Sequence, residues 1–158
     1  MKEKQDKKSK HQFGFTLVEL IVTIAIIGIL AAIVLVSLNS SRKQGRDVKR
    51  VSDARQIMTA LQLFFNDNSG YPSPSTASTS GPDPAAGNPT WTTYLIIWPQ
   101  APVPVDNPTG GTTCTTSNNL YTYTQLSGGS DYSVTFCLGS QIGQYGAGVH
   151  TLSSRGIQ

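Results

Sequence analysis

Phe15 to Leu38 reads FTLVELIVTIAIIGILAAIVLVSL, and this run decides the fold. Its polar members are Thr16, Glu19, Thr23 and Ser37, and it holds no proline to break a helix. As a helix the segment rises about 36 Å, enough to cross the roughly 30 Å hydrocarbon core of a bilayer. A secretory signal peptide has a shorter apolar run with a small-residue cleavage site after it. Here Ala25, Ala31 and Ala32 sit inside a run that simply continues. The segment therefore reads as an anchor that stays in the membrane.

Upstream, residues 1–14 carry Lys2, Lys4, Lys7, Lys8 and Lys10 against Glu3 and Asp6, an excess that equals the net +3 of the whole chain. From Phe15 onward basic and acidic residues balance. The high pI thus belongs to a short head and gives no reason to expect nucleic-acid binding by the folded part. Downstream, Arg42, Lys43, Arg46, Lys49 and Arg50 flank the anchor again, offset by Asp47. With both flanks basic, positive-inside counting does not orient the segment. The downstream cluster reads as a membrane-edge anchor and solvated face that can meet lipid head groups, ahead of a DNA-binding reading.

After Ser41 the apolar residues become periodic. Val48, Val51, Ala54, Ile57, Met58, Leu61, Phe64 and Phe65 recur at spacings of three and four, the pattern of an amphipathic helix. Lys49 and Asp53 are placed for a surface i,i+4 pair. Asn66-Asp67-Asn68-Ser69-Gly70 stops the helix and Tyr71-Pro72 turns the chain away. Residues 15–38 thus form a transmembrane helix and 39–68 its amphipathic continuation. Residues 69–113, rich in Pro, Ser, Thr and Gly, form loops around an apolar island, Trp91 and Tyr94-Leu-Ile-Ile-Trp98, predicted as a short helix or strand over the core.

Residues 114–158 read as β. Leu120–Leu126 and Tyr132–Leu138 alternate around Ser-Gly-Gly-Ser-Asp, a hairpin signal. In the second strand Tyr132, Val134, Phe136 and Leu138 share a face and Cys137 points to the other. A weak third strand is expected within residues 142–152. Cys114 and Cys137 allow a single pairing, and an exported domain is where a bridge persists, so a disulfide is predicted.

The residues around Gly14 read Lys-Ser-Lys-His-Gln-Phe-Gly and then Phe-Thr-Leu-Val-Glu-Leu. They resemble the class III signal of type IV pilins and of the pseudopilins of type II secretion. That signal is a short basic leader, a glycine, and a phenylalanine-led apolar helix with glutamate at its fifth position. The resemblance extends through Ala54-Arg-Gln-Ile57 to Phe65-Asn-Asp-Asn-Ser-Gly-Tyr-Pro72, and covers the rest only in architecture. It implies an α+β, pilin-like fold: one long N-terminal helix, part membrane anchor and part amphipathic, packed on a small antiparallel sheet. It also implies that a prepilin peptidase of the membrane cuts between Gly14 and Phe15 on the cytoplasmic side and N-methylates Phe15. Residues 1–14 would then be a cytoplasmic leader, and the β region would lie outside the inner membrane until assembly into an extracellular or periplasmic filament. Partners implied are the peptidase, further pilin or pseudopilin subunits, an inner-membrane assembly platform and membrane lipid.

Glu19 has the sharpest physical reading. A carboxylate on a lipid-facing helix costs an estimated 2.5–3.5 kcal/mol at the bilayer centre, less near the interface. Cleavage makes a partner for it, the α-amine of Phe15, whose reference pKa is about 7.7–8.0. In the family the glutamate of an incoming subunit meets the amine of one already in the filament; the plainer alternative is a tolerated interfacial acid. Gly28 lies where helices of this family can lose regular geometry, helped by a proline eight residues on. That position is Val36 here, so a small residue for close helix packing is an equal reading.

No catalytic constellation is visible: His11 and His150 are isolated and no P-loop, HExxH, CxxC or GxSxG occurs. An enzyme is not expected. Asp106 and Asp131 offer oxygens to Ca²⁺ but not at a calcium-loop spacing, so no metal is predicted. The main reading is a structural prepilin of a type IV pilus-like filament. The alternative is a pseudopilin of type II secretion, and the remote one a membrane-anchored binding domain that never polymerises.

Overall fold

The structure, a computed structural model, describes residues 14–74, 76–108 and 113–158. Apart from Gly14, the leader expected over residues 1–14 lies outside the described residues. The chain divides into two compact units, Met1–Asn39 and Ser40–Gln158. Helix α1, Leu17–Asn68, runs through both. It starts two residues later than Phe15 because Thr16 stands at the cap: its carbonyl accepts the amide of Leu20 at 3.2 Å, and its hydroxyl accepts the amide of Glu19. Gly28 lies within continuous helix.

In the first unit the described apolar residues of α1 all face outward, from Leu17 at 73 % exposed to Leu38 at 44 %. A stretch with mean hydropathy 3.0 is long and apolar enough to cross a membrane. Apolar on every side, it has no face with which to build a core inside the chain.

The second unit is built on the periodic half of α1. Val51, Ala54, Ile57, Leu61 and Phe64 are buried and form one stripe. They pack against an antiparallel sheet in the order β1-β2-β3-β4: Thr122–Leu126, Asp131–Leu138, Gly148–Ser153 and Gly156–Ile157. Tyr132, Val134, Phe136 and Leu138 of β2 and Leu152 of β3 supply the apolar face, with Val134 opposite Leu152. The expected third strand is thus present and a short fourth follows it, set by Gly156, whose φ of +106° lets the chain fold straight back.

The segment after α1 is fastened rather than slack. Ser78 and Tyr123 exchange both backbone hydrogen bonds at 2.8 Å, and the Gln125 amide donates to the Pro74 carbonyl at 2.9 Å. This covers the free edge of β1, which would otherwise offer unpaired amides to another chain. The apolar island forms a single helical turn, Trp91–Thr93, with Trp91 and Leu95 in the core beside Phe64. Its middle departs from the expectation of a core cover: Ile96 and Ile97 are 82 % and 78 % exposed. A second short helix, α2, Thr116–Asn119, precedes β1 and was not anticipated; Thr115 and Asn118 cap it reciprocally. Cys114, just before α2, is disulfide-bonded to Cys137 on the far face of β2, with Cα atoms 5.8 Å apart.

Candidate functional site

At the start of α1, Gly14 and Phe15 are exposed and non-helical, and Phe15 is 83 % accessible. The next residues, Thr16-Leu-Val-Glu19, form a capping box. The Thr16 amide and hydroxyl donate to Glu19 Oε2 at 2.9 and 2.8 Å, and the Glu19 amide donates to Thr16 Oγ1 at 3.2 Å. This satisfies helix-start amides that would otherwise lack partners. Glu19 is thereby held one turn from the Gly14–Phe15 bond with a single oxygen engaged. Among the described residues no hydrogen bond reaches Oε1. The spacing T-x-x-E was in the sequence, but Thr16 was not singled out.

Further along α1 the basic cluster is only in part the solvated face expected of it: Arg42 and Lys49 are exposed, but Arg50 is not. Arg50 and Asp47 are fully buried and paired at 2.6 Å, and Asp106 completes a network. Arg46 holds Asp106 through two guanidinium bonds, at 2.7 and 2.5 Å, and Arg50 reaches it at 3.1 Å. Asp47 also accepts the amides of Gly139 and Ser140 at 3.0 and 2.9 Å and the Ser140 hydroxyl at 2.6 Å. A side chain at 139 would collide with Asp106 and Lys43, so only glycine lets the end of β2 come this close. Burial alone would raise the Asp106 pKa, but the hydrogen bonds from Arg46 and Arg50 outweigh it and hold the carboxyl below its ordinary range. The same bonds raise Arg46. The network ties three distant stretches together: α1, the 102–106 segment through the Pro102 carbonyl on Arg50 at 2.9 Å, and the β2 end.

Lys49 and Asp53 do pair, at 2.8 Å, but Asp53 is buried rather than on the surface. It also accepts the Tyr121 hydroxyl at 2.9 Å, and burial together with the Asp53 charge pushes that phenol far above its ordinary range. Of the two acids considered for Ca²⁺, Asp106 is occupied by guanidinium groups, and Asp131 accepts the amides of Tyr132 and Ser154. Among the described residues no group of three or more His, Cys, Asp or Glu is arranged to hold a metal ion. The arginine network escaped the sequence reading because Asp106 lies far along the chain in a proline-rich loop. The i,i+3 spacing of Asp47 and Arg50 was its one local trace.

The arrangement sets a capped acid at the head of an exposed apolar helix and ties the second unit together by ion pairs. Comparison with known proteins agrees. Residues 9–35 match the prokaryotic N-terminal methylation motif. The chain is similar to type II secretion system core protein G of Vibrio cholerae, 39 % identical over 66 residues, 42 % of this chain and 45 % of that protein. It is 40 % identical to the protein of the same name from Escherichia coli K12 over 66 residues, and to that of Pectobacterium carotovorum over 63. The matched part covers less than half of each of these relatives. No solved structure matches significantly. Motif, relatives and the pilin-like α+β fold together support the type IV pilin and pseudopilin family. The relatives' names favour the secretion alternative over the surface pilus that headed the sequence reading.

Proposed function

We propose that the chain is a pseudopilin, a structural subunit of a type II secretion filament, anchored in the inner membrane by α1 and not an enzyme. The observation that carries this is the N-terminal methylation motif over residues 9–35, followed by a capping box that presents Glu19 beside the Gly14–Phe15 bond. In this reading a prepilin peptidase cuts after Gly14 and methylates Phe15, freeing a cation. Oε1 of Glu19 in an incoming copy then meets the Phe15 amine of a copy already assembled. Processing precedes assembly because the uncut chain has no such cation.

Mass spectrometry of the membrane fraction should find a mature chain beginning at methylated Phe15. The variant Glu19→Val should be cut and methylated normally yet be absent from sheared filaments. Persistence of uncut chain, or normal assembly of the variant, would remove the reading. Deleting the gene should empty the medium of exported proteins and leave surface filaments in place; the reverse result would restore the pilus reading.

A further inference from the structure

The unit Ser40–Gln158 carries an apolar projection and a groove of mixed polarity. The projection is Ile96-Ile97, held out between buried Leu95 and half-buried Trp98. Its base is fixed to the end of α1, where the Tyr94 hydroxyl donates to Asp67 at 2.7 Å and the Tyr94 ring meets Phe64 edge-on. It is also fixed to the β1 side of the sheet, where the Trp98 indole donates to the Tyr121 carbonyl at 3.0 Å. The groove, of roughly 430 Å³, sets Val48, Val51, Ile142 and Tyr145 beside the polar Ser52, Arg55 and Gln144, with Gly143 completing the lining. It lies about 20 Å nearer the start of α1, taking the rise from Val51 to Phe64. It is on the β3 side, where the Tyr145 ring meets His150.

Charge divides along the same axis. Arg55 lies on the groove, exposed and without an ion pair among the described residues. Asp67 sits at the base of the projection, exposed and likewise without an ion pair among the described residues.

We propose that Ile96 and Ile97 of one copy seat in the groove of the next copy, with Asp67 facing Arg55 across the contact. The inference rests on the filament reading above and names the contact between folded units within it. A second copy is the occupant because projection and groove belong to one chain, Asp67 answers Arg55 in charge, and the two isoleucines answer Val48, Val51 and Ile142 of the groove. Being two different patches, they make a head-to-tail contact that a pair of copies leaves unsaturated. Each added copy exposes a fresh groove or projection, so the assembly grows as an open helix rather than closing as a dimer.

The chain has no free cysteine among its described residues, so introduced thiols report cleanly. Full-length Ile97→Cys/Val48→Cys, oxidised in sheared filaments, should run as a ladder of dimer, trimer and higher species on a non-reducing gel. Each single variant should run as monomer. Asp67→Arg and Arg55→Asp should each lose filaments, and the double exchange should regain them. Filaments recovered without a ladder overturn the contact and leave the filament reading intact. A dimer from Ile97→Cys alone indicates a symmetric contact and overturns it too. Absence of filaments from the unaltered chain overturns the filament reading and the contact with it.

Discussion

The two halves of α1 share one backbone and differ in what accounts for their side chains. In the second half Ile57 and Leu61 are wholly buried, and the chain itself supplies every neighbour they need. In the first half Ile29 is 65 % exposed and Leu30 58 %. Acids follow the same division. Asp47 is satisfied by Gly139 and Ser140, more than ninety positions away, as well as by Arg50, whereas among the described residues the hydrogen bonds to the Glu19 carboxylate come from Thr16, three residues before it. The second half is therefore explained by folding. The first is an apolar surface far larger than a soluble monomer exposes, and the proposed function covers it with lipid and with other copies.

The sharpest way to break that contrast is Arg50→Ala. The substitution leaves Asp47 and Asp106 facing each other in the interior without their shared cation, and losing one partner of a buried pair costs about 3–5 kcal/mol. Denaturant unfolding of the detergent-solubilised chain reads this directly, because Trp91 and Trp98 both lie in the second unit. A loss under about 1 kcal/mol would mean that the ion network does not hold the second unit together. Next in size is the double variant Cys114→Ser/Cys137→Ser. The bridge spans a sequence separation of 23, and closing such a loop is worth about 3 kcal/mol in the chain-entropy model. The unfolding free energy read by the same tryptophan signal should fall by about that amount, with the midpoint moving to lower denaturant.

The halves were also unequally legible in the sequence. The anchor, the periodic stripe ending at Asn68, the hairpin and the cysteine pair all rest on local patterns, and local patterns survive in one dimension. The ion network does not, because Arg50 reads as one more base beside a membrane until Asp106 is brought to it. The exposure of Ile96 and Ile97 was hidden for the opposite reason. Their composition says core, and only the pinning of Tyr94 and Trp98 on either side turns the middle of the island outward. Of the proposed assembly site, Gly14, Phe15 and Glu19 stand in a contiguous motif, while the capping by Thr16 is visible only in its hydrogen bonds.

The smallest expected effect tests the contrast from the other side. Ile29→Ala removes a branched side chain from the middle of the anchor, where a core position would lose several kcal/mol. Here the side chain is 65 % exposed and forfeits little packing within the chain, and alanine is the better helix former. The unfolding free energy of the second unit should therefore stay within about 0.5 kcal/mol of the unaltered chain. Filament yield should fall, since the lost contacts belong to neighbouring copies. A drop in unfolding free energy above about 1 kcal/mol would show that Ile29 draws its neighbours from its own chain. The division between a half explained by folding and a half explained by assembly would then have to be redrawn.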